Sequence, residues 1–167
     1  MQKLRQSWVD LNHASLHKAP HIWHDWLSDT GSLTQLIANR TQSSVSVEIV
    51  EDKNQNVLSD ESLLFEKALF HCRVREIYLC VDDIPVVAAR SILPTYSSTG
   101  INRDVLQLGT RPLGEALFKT GKAPILRRQI THISGLGWGR RTLYKLRGHP
   151  ILISEVFLPE LLQKIKP

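Results

Sequence analysis

Residues 74–93, VREIYLCVDDIPVVAARSIL, predict a β-hairpin and decide the fold. Val74–Val81 and Ile84–Leu93 are rich in β-branched and aliphatic residues, which favour strands. The Asp82-Asp83 pair between them suits a two-residue hairpin loop, because aspartate tolerates the left-handed backbone that such loops require. Two long antiparallel strands therefore form the expected centre of the fold.

The register of this hairpin predicts an unusual pair of charges. If the two aspartates form the loop, counting back along both strands places Arg75 opposite Arg90. Two like charges on one apolar face repel each other and are costly to desolvate, so a dianionic ligand between them would be stabilising. The alternative is that one arginine extends to solvent or pairs with Glu76 or Asp104.

The rest of the chain predicts short helices and further strands joined by tight turns. The predicted elements are a helical region at 22–38 with a break at Asp29-Thr30-Gly31, a strand Val45–Ile49, a helix capped by Asp60 that carries Leu63, Leu64, Ala68 and Leu69, a helix that begins at Pro112, and strands Ile125–Ile133, Arg140–Arg147 and Ile151–Leu158. Short turns leave little room for crossover helices. We therefore expect a single α+β domain over residues 1–167, with one antiparallel sheet of about six strands and helices packed on one face.

Composition limits the class of protein. The chain has 167 residues, of which 42% are hydrophobic and 22% charged, so we expect one globular domain with a packed core. No apolar run reaches the ~20 residues that a membrane span needs, and the charged N-terminus lacks a secretion signal. Cys72 and Cys80 are too far apart on one strand for a disulfide. These features predict a cytoplasmic protein, and the net charge of +5 favours anionic partners.

Arg75 and Glu155 are ionisable residues within apolar strands. Because side chains alternate between the faces of a strand, Arg75 shares a face with Ile77 and Leu79, and Glu155 shares one with Ile153. Both are therefore candidates for a buried site. The alternative is that each lies on a solvated face, since both strands are apolar on the other face as well.

The spacing of His13, His17 and His21 could suggest a metal site. Pro20 interrupts the helix there, however, and neither an HExxH motif nor an acidic set of supporting ligands is present. We expect neither a metal nor a cofactor.

A basic, partly aromatic segment raises the possibility of nucleic-acid binding. Basic strands with interleaved aromatic residues occur in proteins that bind single strands. The residues concerned are Arg127, Arg128, Arg140, Arg141, Lys145 and Arg147, with Trp138 and Tyr144 nearby. Basic strands are more often solvated faces, so we do not expect a nucleic-acid partner.

Five segments resemble the chorismate lyase (chorismate pyruvate-lyase) family in order and spacing. They are VREIYLC at 74–80, ARSILP at 89–94, LGTRPLG at 108–114, WGRR at 138–141 and ISEVFLP at 153–159. Ser32-Leu33-Thr34 is similar to the family's N-terminal site segment. The combination is specific although each segment alone is not, and it covers nearly the whole chain.

The resemblance implies a fold, a reaction and a set of site residues. It implies a six-stranded antiparallel sheet, a site enclosed under helical flaps, and cofactor-free conversion of chorismate to 4-hydroxybenzoate and pyruvate as the first committed step of ubiquinone biosynthesis. By the family pattern, Arg75 and Glu155 are catalytic: Arg75 binds the ring carboxylate and Glu155 meets the 4-oxygen. Leu33 and Leu113 cover the ring, and Arg90 takes the enolpyruvyl carboxylate. Separately from the resemblance, we expect a monomer without stable membrane insertion.

Two other functions remain open at the level of sequence. The first is a non-catalytic module that binds a small carboxylate, resembling the effector-binding domains of bacterial transcription regulators. The second, a single-strand nucleic-acid binder, would show salt-dependent retention on single-stranded DNA. Turnover of chorismate separates the enzyme from both.

Overall fold

A computed structural model describes residues 7–65, 71–95, 100–119 and 121–167, and it has a seven-stranded antiparallel sheet with the order β1-β5-β6-β7-β4-β3-β2. The strands are β1 (Val9–Asp10), β2 (Val45–Asn56), β3 (His71–Val81), β4 (Ile84–Pro94), β5 (Ile125–Ile133), β6 (Gly137–Leu146) and β7 (His149–Phe157). The α+β class and the antiparallel sheet are thus confirmed. The strand beyond the expected six is β1, a two-residue strand that pairs with β5 at one edge of the sheet.

The helices are short and connect or flank the strands. They are α1 (His13–Leu16), α2 (His24–Ser28), α3 (Leu33–Thr41), α4 (Ser59–Ser62), α5 (Leu113–Phe118) and α6 (Pro159–Lys164), with 3₁₀ segments at His21–Trp23 and Gly100–Gln107. The predicted break at residues 29–31 separates α2 from α3. Helix α5 begins directly after Pro112, as expected.

The β3–β4 hairpin has the predicted loop and a different register. Asp82 and Asp83 both have positive φ, at 50° and 62°, and Val81 pairs with Ile84. Val86 is then left unpaired as a bulge, because Cys80 pairs with Pro85 whereas the next pair joins residues 79 and 87. A bulge is tolerated beside proline, which has no N–H to donate to the ladder.

This bulge overturns the expected pairing of the two arginines. Arg75 lies opposite Ser91, and Arg90 lies opposite Glu76. A shift of one residue moves a side chain to the other face of a strand, so Arg75 and Arg90 point to opposite faces of the sheet. The pairing of Arg75 with Arg90 is therefore wrong, and the alternative in which Arg90 pairs with Glu76 is confirmed.

The front face of the sheet, which carries Arg75, Ile77 and Glu155, is covered by most of the helices. Its buried apolar residues pack against helices α2, α3, α5 and α6. The members of this front core include Trp26, Leu27, Ile37, Leu79, Phe157 and Leu161, together with Leu113, Leu117, Tyr144 and Ile153. Burial of these side chains fixes the helices on the sheet.

The rear face of the sheet, which carries Glu76, Arg90 and Ile92, is covered too, which corrects the expectation of helices on one face only. Phe65, just after α4, packs against Val74 and Ile92. The predicted cap is also corrected: α4 begins after Leu58, whose N–H donates to Glu61. Asp60 instead accepts a hydrogen bond from Arg141 at 2.7 Å, and the predicted helical residues Ala68 and Leu69 lie outside the described residues.

Arg90 ties α4 to the rear face through buried charges. Its Nε donates to Glu61 at 2.7 Å and its Nη1 donates to Glu76 at 2.7 Å. Arg90 and Glu61 are both buried, at 6% and 3% exposure. Although burial opposes the charge, the two carboxylates raise the pKa of Arg90 above its ordinary value. The role of Arg90 in the fold is therefore to neutralise two carboxylates.

Replacing Arg90 by methionine should strongly destabilise the fold, because Glu61 and Glu76 would lose the cation that they share. Breaking a buried ion pair costs about 3–5 kcal/mol, so urea unfolding should show a loss of that size in the free energy of unfolding. Arg40→Ala is the control: it removes an exposed pair with Asp25 and should cost less than ~1 kcal/mol. An Arg90→Met protein as stable as the parent would contradict this account of the rear face.

Candidate functional site

A small, partly covered cavity lies between the front face of the sheet and two covering segments. The sheet contributes Ile77, Leu79, Ala89, Ser91, Arg140, Tyr144, Ile153 and Glu155 to its lining. The first covering segment (residues 24–34) contributes Gly31, Leu33 and Thr34, and the second covering segment (residues 108–118) contributes Pro112, Leu113, Gly114, Leu117 and Phe118. The lining is mostly apolar with a few convergent polar groups, as is typical of small-molecule sites.

The cavity is small as it stands. Its volume is about 40 Å³, whereas ligand pockets usually measure ~300–1,000 Å³. A larger groove of about 610 Å³ is lined by residues from 32–38 and 104–119. It shares Thr34, Pro112, Gly114 and Phe118 with the cavity. Entry of an aromatic acid therefore requires the two covering segments to move apart.

Arg75 holds the second covering segment. Its Nη2 donates to the carbonyl oxygens of Gly109 and Arg111, at 2.6 and 3.0 Å. These carbonyls lie just before Pro112, after which Leu113 begins α5, so the guanidinium sets where Leu113 meets the cavity. Gly109 supports this loop with a φ of 56°, in the left-handed region that glycine adopts without strain.

Arg75 also has an unused donor beside the cavity. Its neighbours Ile77, on the same strand, and Ser91, across the ladder, line the cavity. The side chain is buried, and its Nε has no hydrogen-bond partner in the protein. Burial lowers the pKa of this arginine, which Asp52 at 3.7 Å only partly offsets. A buried donor without an acceptor is costly, so an anion here would be stabilised.

Arg140, which is buried, forms an ion pair on the cavity wall with Glu155, whose side chain is 12% exposed. They face each other across β6 and β7 in the ladder, and the Nε of Arg140 donates to Glu155 Oε2 at 2.6 Å. Beside this pair the strands approach closely at two glycines: a Cβ at Gly139 would lie 3.0 Å from the carbonyl oxygen of Glu155, and one at Gly137 would lie 2.5 Å from that of Phe157. Burial by itself would lower the pKa of Arg140, but the charge of Glu155 opposes this effect, and the pKa is raised above its ordinary value.

Arg140 and Arg128 hold the first covering segment as Arg75 holds the second. The Nη1 of Arg140 donates to the carbonyl oxygens of Trp26 and Asp29, at 2.8 and 2.9 Å. The Nη1 of Arg128 donates to the Asp29 carbonyl as well. Carbonyls at the end of a helix such as α2 carry partial negative charge and lack intrahelical donors, so guanidinium groups stabilise them.

The electrostatic environment of this wall is positive. Burial and the charge of Arg140 lower the pKa of Arg128. Tyr144, whose hydroxyl oxygen lies 3.2 Å from Arg128 Nη2, has a raised pKa because burial and the nearby charge of Glu155 both oppose ionisation. Two arginines and one carboxylate leave an excess of one positive charge on this wall, which favours an anionic ligand.

The structure brings together four of the five predicted site residues. Leu33, Leu113 and Glu155 line the cavity, and Arg75 flanks it. Arg90 lies on the rear face, bound to two carboxylates, and is absent from the lining.

Arg140 is the site residue that the sequence analysis did not identify, because it was treated as part of a basic surface. A usable signal was present in the β6–β7 hairpin. With a two-residue loop at Arg147-Gly148, Leu146 pairs with His149, and counting back places Arg140 opposite Glu155, as observed. The register contains no bulge between these pairs, so the count holds.

Half of the proposed basic surface is interior, whereas Arg127, Lys145 and Arg147 are exposed. Arg128, Arg140 and Arg141 are buried, at 8%, 0% and 6% exposure, and bind protein groups. These three guanidinium groups are therefore inaccessible to a phosphate backbone.

Within the described ranges, no group of three or more His, Cys, Asp or Glu side chains is arranged to hold a metal ion. His13 and His17 do approach each other, with their Nε2 atoms 2.9 Å apart. None of the helices in these ranges is long and apolar enough to cross a membrane.

Comparison with solved structures finds regulator domains of low similarity. A ligand-binding domain of a putative GntR-family transcriptional regulator from Bordetella bronchiseptica matches with 14% identity and a TM-score of 0.48, over 71% of this chain and 85% of that one. A GntR-family regulator from Bacillus cereus matches with 14% identity and a TM-score of 0.47, over 70% of this chain and 92% of that one.

Comparison of sequences finds relatives of much higher similarity. A chorismate pyruvate-lyase of Photorhabdus laumondii is 39% identical over 144 residues, covering 81% of this chain and 80% of that protein. A probable chorismate pyruvate-lyase of Thiobacillus denitrificans is 34% identical over 162 residues, covering 87% of each. The family model described as chorismate lyase matches residues 5–166. This match includes nearly every residue of the chain and all the residues that line the cavity. The chain therefore belongs to the chorismate lyase family.

Proposed function

We propose that the small cavity binds chorismate and that the chain catalyses the elimination of pyruvate from it, leaving 4-hydroxybenzoate. One observation carries the proposal: in a member of this family, Glu155 lines the cavity, and the buried Arg75, whose Nε has no hydrogen-bond partner, lies across the ladder from the cavity residue Ser91. The Glu155 carboxylate can accept a hydrogen bond from a hydroxyl of the ligand, and the Arg75 Nε can donate one to a carboxylate of the ligand.

The charge of the site supports a dianionic substrate. Arg75, Arg128 and Arg140 with Glu155 leave a net of two positive charges around the cavity. Asp52, 3.7 Å from Arg75, is already paired with Arg73 and does not change this balance. Chorismate carries two carboxylates, so its charge is complementary to that of the site.

In this proposal Arg75 binds the ring carboxylate through its free Nε, and Glu155 accepts a hydrogen bond from the 4-hydroxyl. Leu33 and Leu113 cover the ring from the two covering segments. Arg90 has no part in the site, because Glu61 and Glu76 occupy its guanidinium on the rear face.

The reaction consists of one elimination that makes the ring aromatic. The C3–oxygen bond breaks, the hydrogen at C4 leaves as a proton, and the released enolpyruvate takes up a proton to become pyruvate. Aromatisation makes the step strongly favourable and involves no change of oxidation state that needs a redox partner, so we propose a cofactor-free mechanism. The task of the protein is to hold the reactive conformer and to stabilise charge on the departing oxygen within a positive, water-excluding site.

We also propose that the reaction is the first committed step of ubiquinone biosynthesis, carried out in the cytoplasm by a monomer. The cysteines are consistent with a reducing compartment: Cys72 and Cys80 are free and buried. Burial raises the pKa of both thiols, which keeps them protonated and unreactive.

The direct test is to mix the purified chain with chorismate and follow the absorbance of 4-hydroxybenzoate. Product should form at a rate proportional to protein concentration, and the rate should be the same with and without EDTA. A rate no higher than that of the spontaneous reaction would refute the lyase proposal and favour a non-catalytic binding module. Loss of activity in EDTA with recovery on adding zinc or magnesium would refute the cofactor-free mechanism.

Replacing Arg75 by alanine should weaken the binding of both chorismate and 4-hydroxybenzoate, since both carry the ring carboxylate. A charge-assisted hydrogen bond contributes about 1.5–3 kcal/mol, which corresponds to roughly ten- to a hundredfold in affinity. Calorimetry with product and steady-state kinetics with substrate measure the two effects. Arg127→Ala is the matched control, because it also removes an arginine from a strand of the sheet, but one that is exposed and paired with Asp10 away from the cavity lining. Equal losses in the two variants would remove Arg75 from the site.

Release of 4-hydroxybenzoate should be slow, because the covering segments must separate again to free it. Rapid-mixing experiments should show an initial burst of about one product per enzyme followed by a slower steady rate. Added 4-hydroxybenzoate should lower the initial rate, whereas added pyruvate, which lacks the ring, should not. Linear progress curves that product leaves unchanged would be incompatible with an enclosed product site.

A further inference from the structure

Arg140 lies between Glu155 and the main chain of the first covering segment. The guanidinium is 0% exposed and donates in two directions: Nε to Glu155, and Nη1 to the carbonyls of Trp26 and Asp29. The three donor–acceptor distances lie between 2.6 and 2.9 Å, and the two bonds to the covering segment involve only its main chain.

We propose that Arg140 is a positioning residue that couples the orientation of Glu155 to closure of the first covering segment. The proposal rests on the function assigned to Glu155 above. It adds that Arg140 connects two states that stabilise each other. One is the contact between Glu155 and the ligand, and the other is the closed state of residues 24–34.

The physical reason is the rigid shape of the guanidinium group. Its donors lie in one plane, so turning Nε to follow a displaced Glu155 also turns Nη1 away from the two carbonyls. Opening of the covering segment would conversely leave Nη1 of a buried cation without its acceptors, which is unfavourable. The orientation of Glu155 and the closure of the covering segment both depend on the orientation of Arg140, so the two are thermodynamically coupled. Each therefore affects the other by the same free energy.

Arg128 provides a matched comparison within the same wall. It is also buried, and it binds the same Asp29 carbonyl. Its remaining donors meet Thr142 and Tyr144 rather than a carboxylate. Arg128 therefore anchors the covering segment without contacting Glu155, so its loss should affect closure independently of Glu155.

The first experiment is a double-mutant cycle on kcat with chorismate. Arg140→Lys keeps the charge and loses the planar, two-directional donor, so kcat should fall on the order of ten- to a hundredfold while KM changes less. In a Glu155→Gln background the same change should cost less than about threefold, because the group that it positions is already altered. Arg128→Lys should cost the same factor in both backgrounds. An Arg140→Lys effect that is equally large in both backgrounds would overturn the proposal.

A second measurement does not depend on whether Arg140 variants fold or whether chorismate is turned over. Hydrogen exchange is measured on the ligand-free parent and on Glu155→Gln, which preserves the size of the side chain. Weakening the hold of Glu155 on Arg140 should speed amide exchange in residues 24–34 by about tenfold or more and leave α5 unchanged. Unchanged exchange in residues 24–34 would overturn the coupling, whereas absence of chorismate turnover in the parent would overturn only the proposed function.

Discussion

Glu155 and the fully buried Arg140 face each other across β6 and β7, and the covering of the front face depends on this pair. Removing either charge from water is costly, and the attraction between them compensates only when the geometry is good and the remaining donors are satisfied. Here the remaining donors find the carbonyls of Trp26 and Asp29. The ion pair therefore stays buried only while the first covering segment is in place.

The same type of contact closes the site on its other side. Arg75 binds the carbonyls of Gly109 and Arg111, and so fixes the loop that leads into α5. Arginines attached to the rigid sheet thus hold both covering segments by their main chain. A ligand that binds one of these guanidinium groups acts on the element that encloses it, which connects binding with closure.

Buried charge has a different task on the rear face. Arg90 with Glu61 and Glu76, and Arg141 with Asp60, attach α4 to the sheet within a short hydrogen-bonded network. Each of these cations is paired with at least one carboxylate, whereas on the front face four arginines (Arg73, Arg75, Arg128 and Arg140) outnumber the two carboxylates of Asp52 and Glu155. The excess positive charge is therefore found on the face that has the cavity, where it favours an anionic ligand.

The sequence alone determined the features that depend on neighbours along the chain. The Asp82-Asp83 loop, the bounds of β5, and the placement of Arg75 and Glu155 on apolar strand faces all followed from residue type and alternation. The family was identifiable from five short segments, because their combined order and spacing are specific although each segment alone is not. Leu33 and Leu113 were assigned to the site from this resemblance and not from any local pattern.

Tertiary structure decided which face each charge occupies relative to its neighbours on other strands. The bulge at Val86 shifts the register by one residue, and this places Arg90 behind the sheet with Glu76 instead of beside Arg75. In the β6–β7 hairpin no bulge intervenes, and Arg140 reaches Glu155. Alternation along a strand is a local property, but the register between strands depends on bulges, on close approaches such as that at Gly137, and on the segments packed over them. The site therefore depends on the assembled sheet. The sequence predicted the strands of that sheet but only part of the register between them.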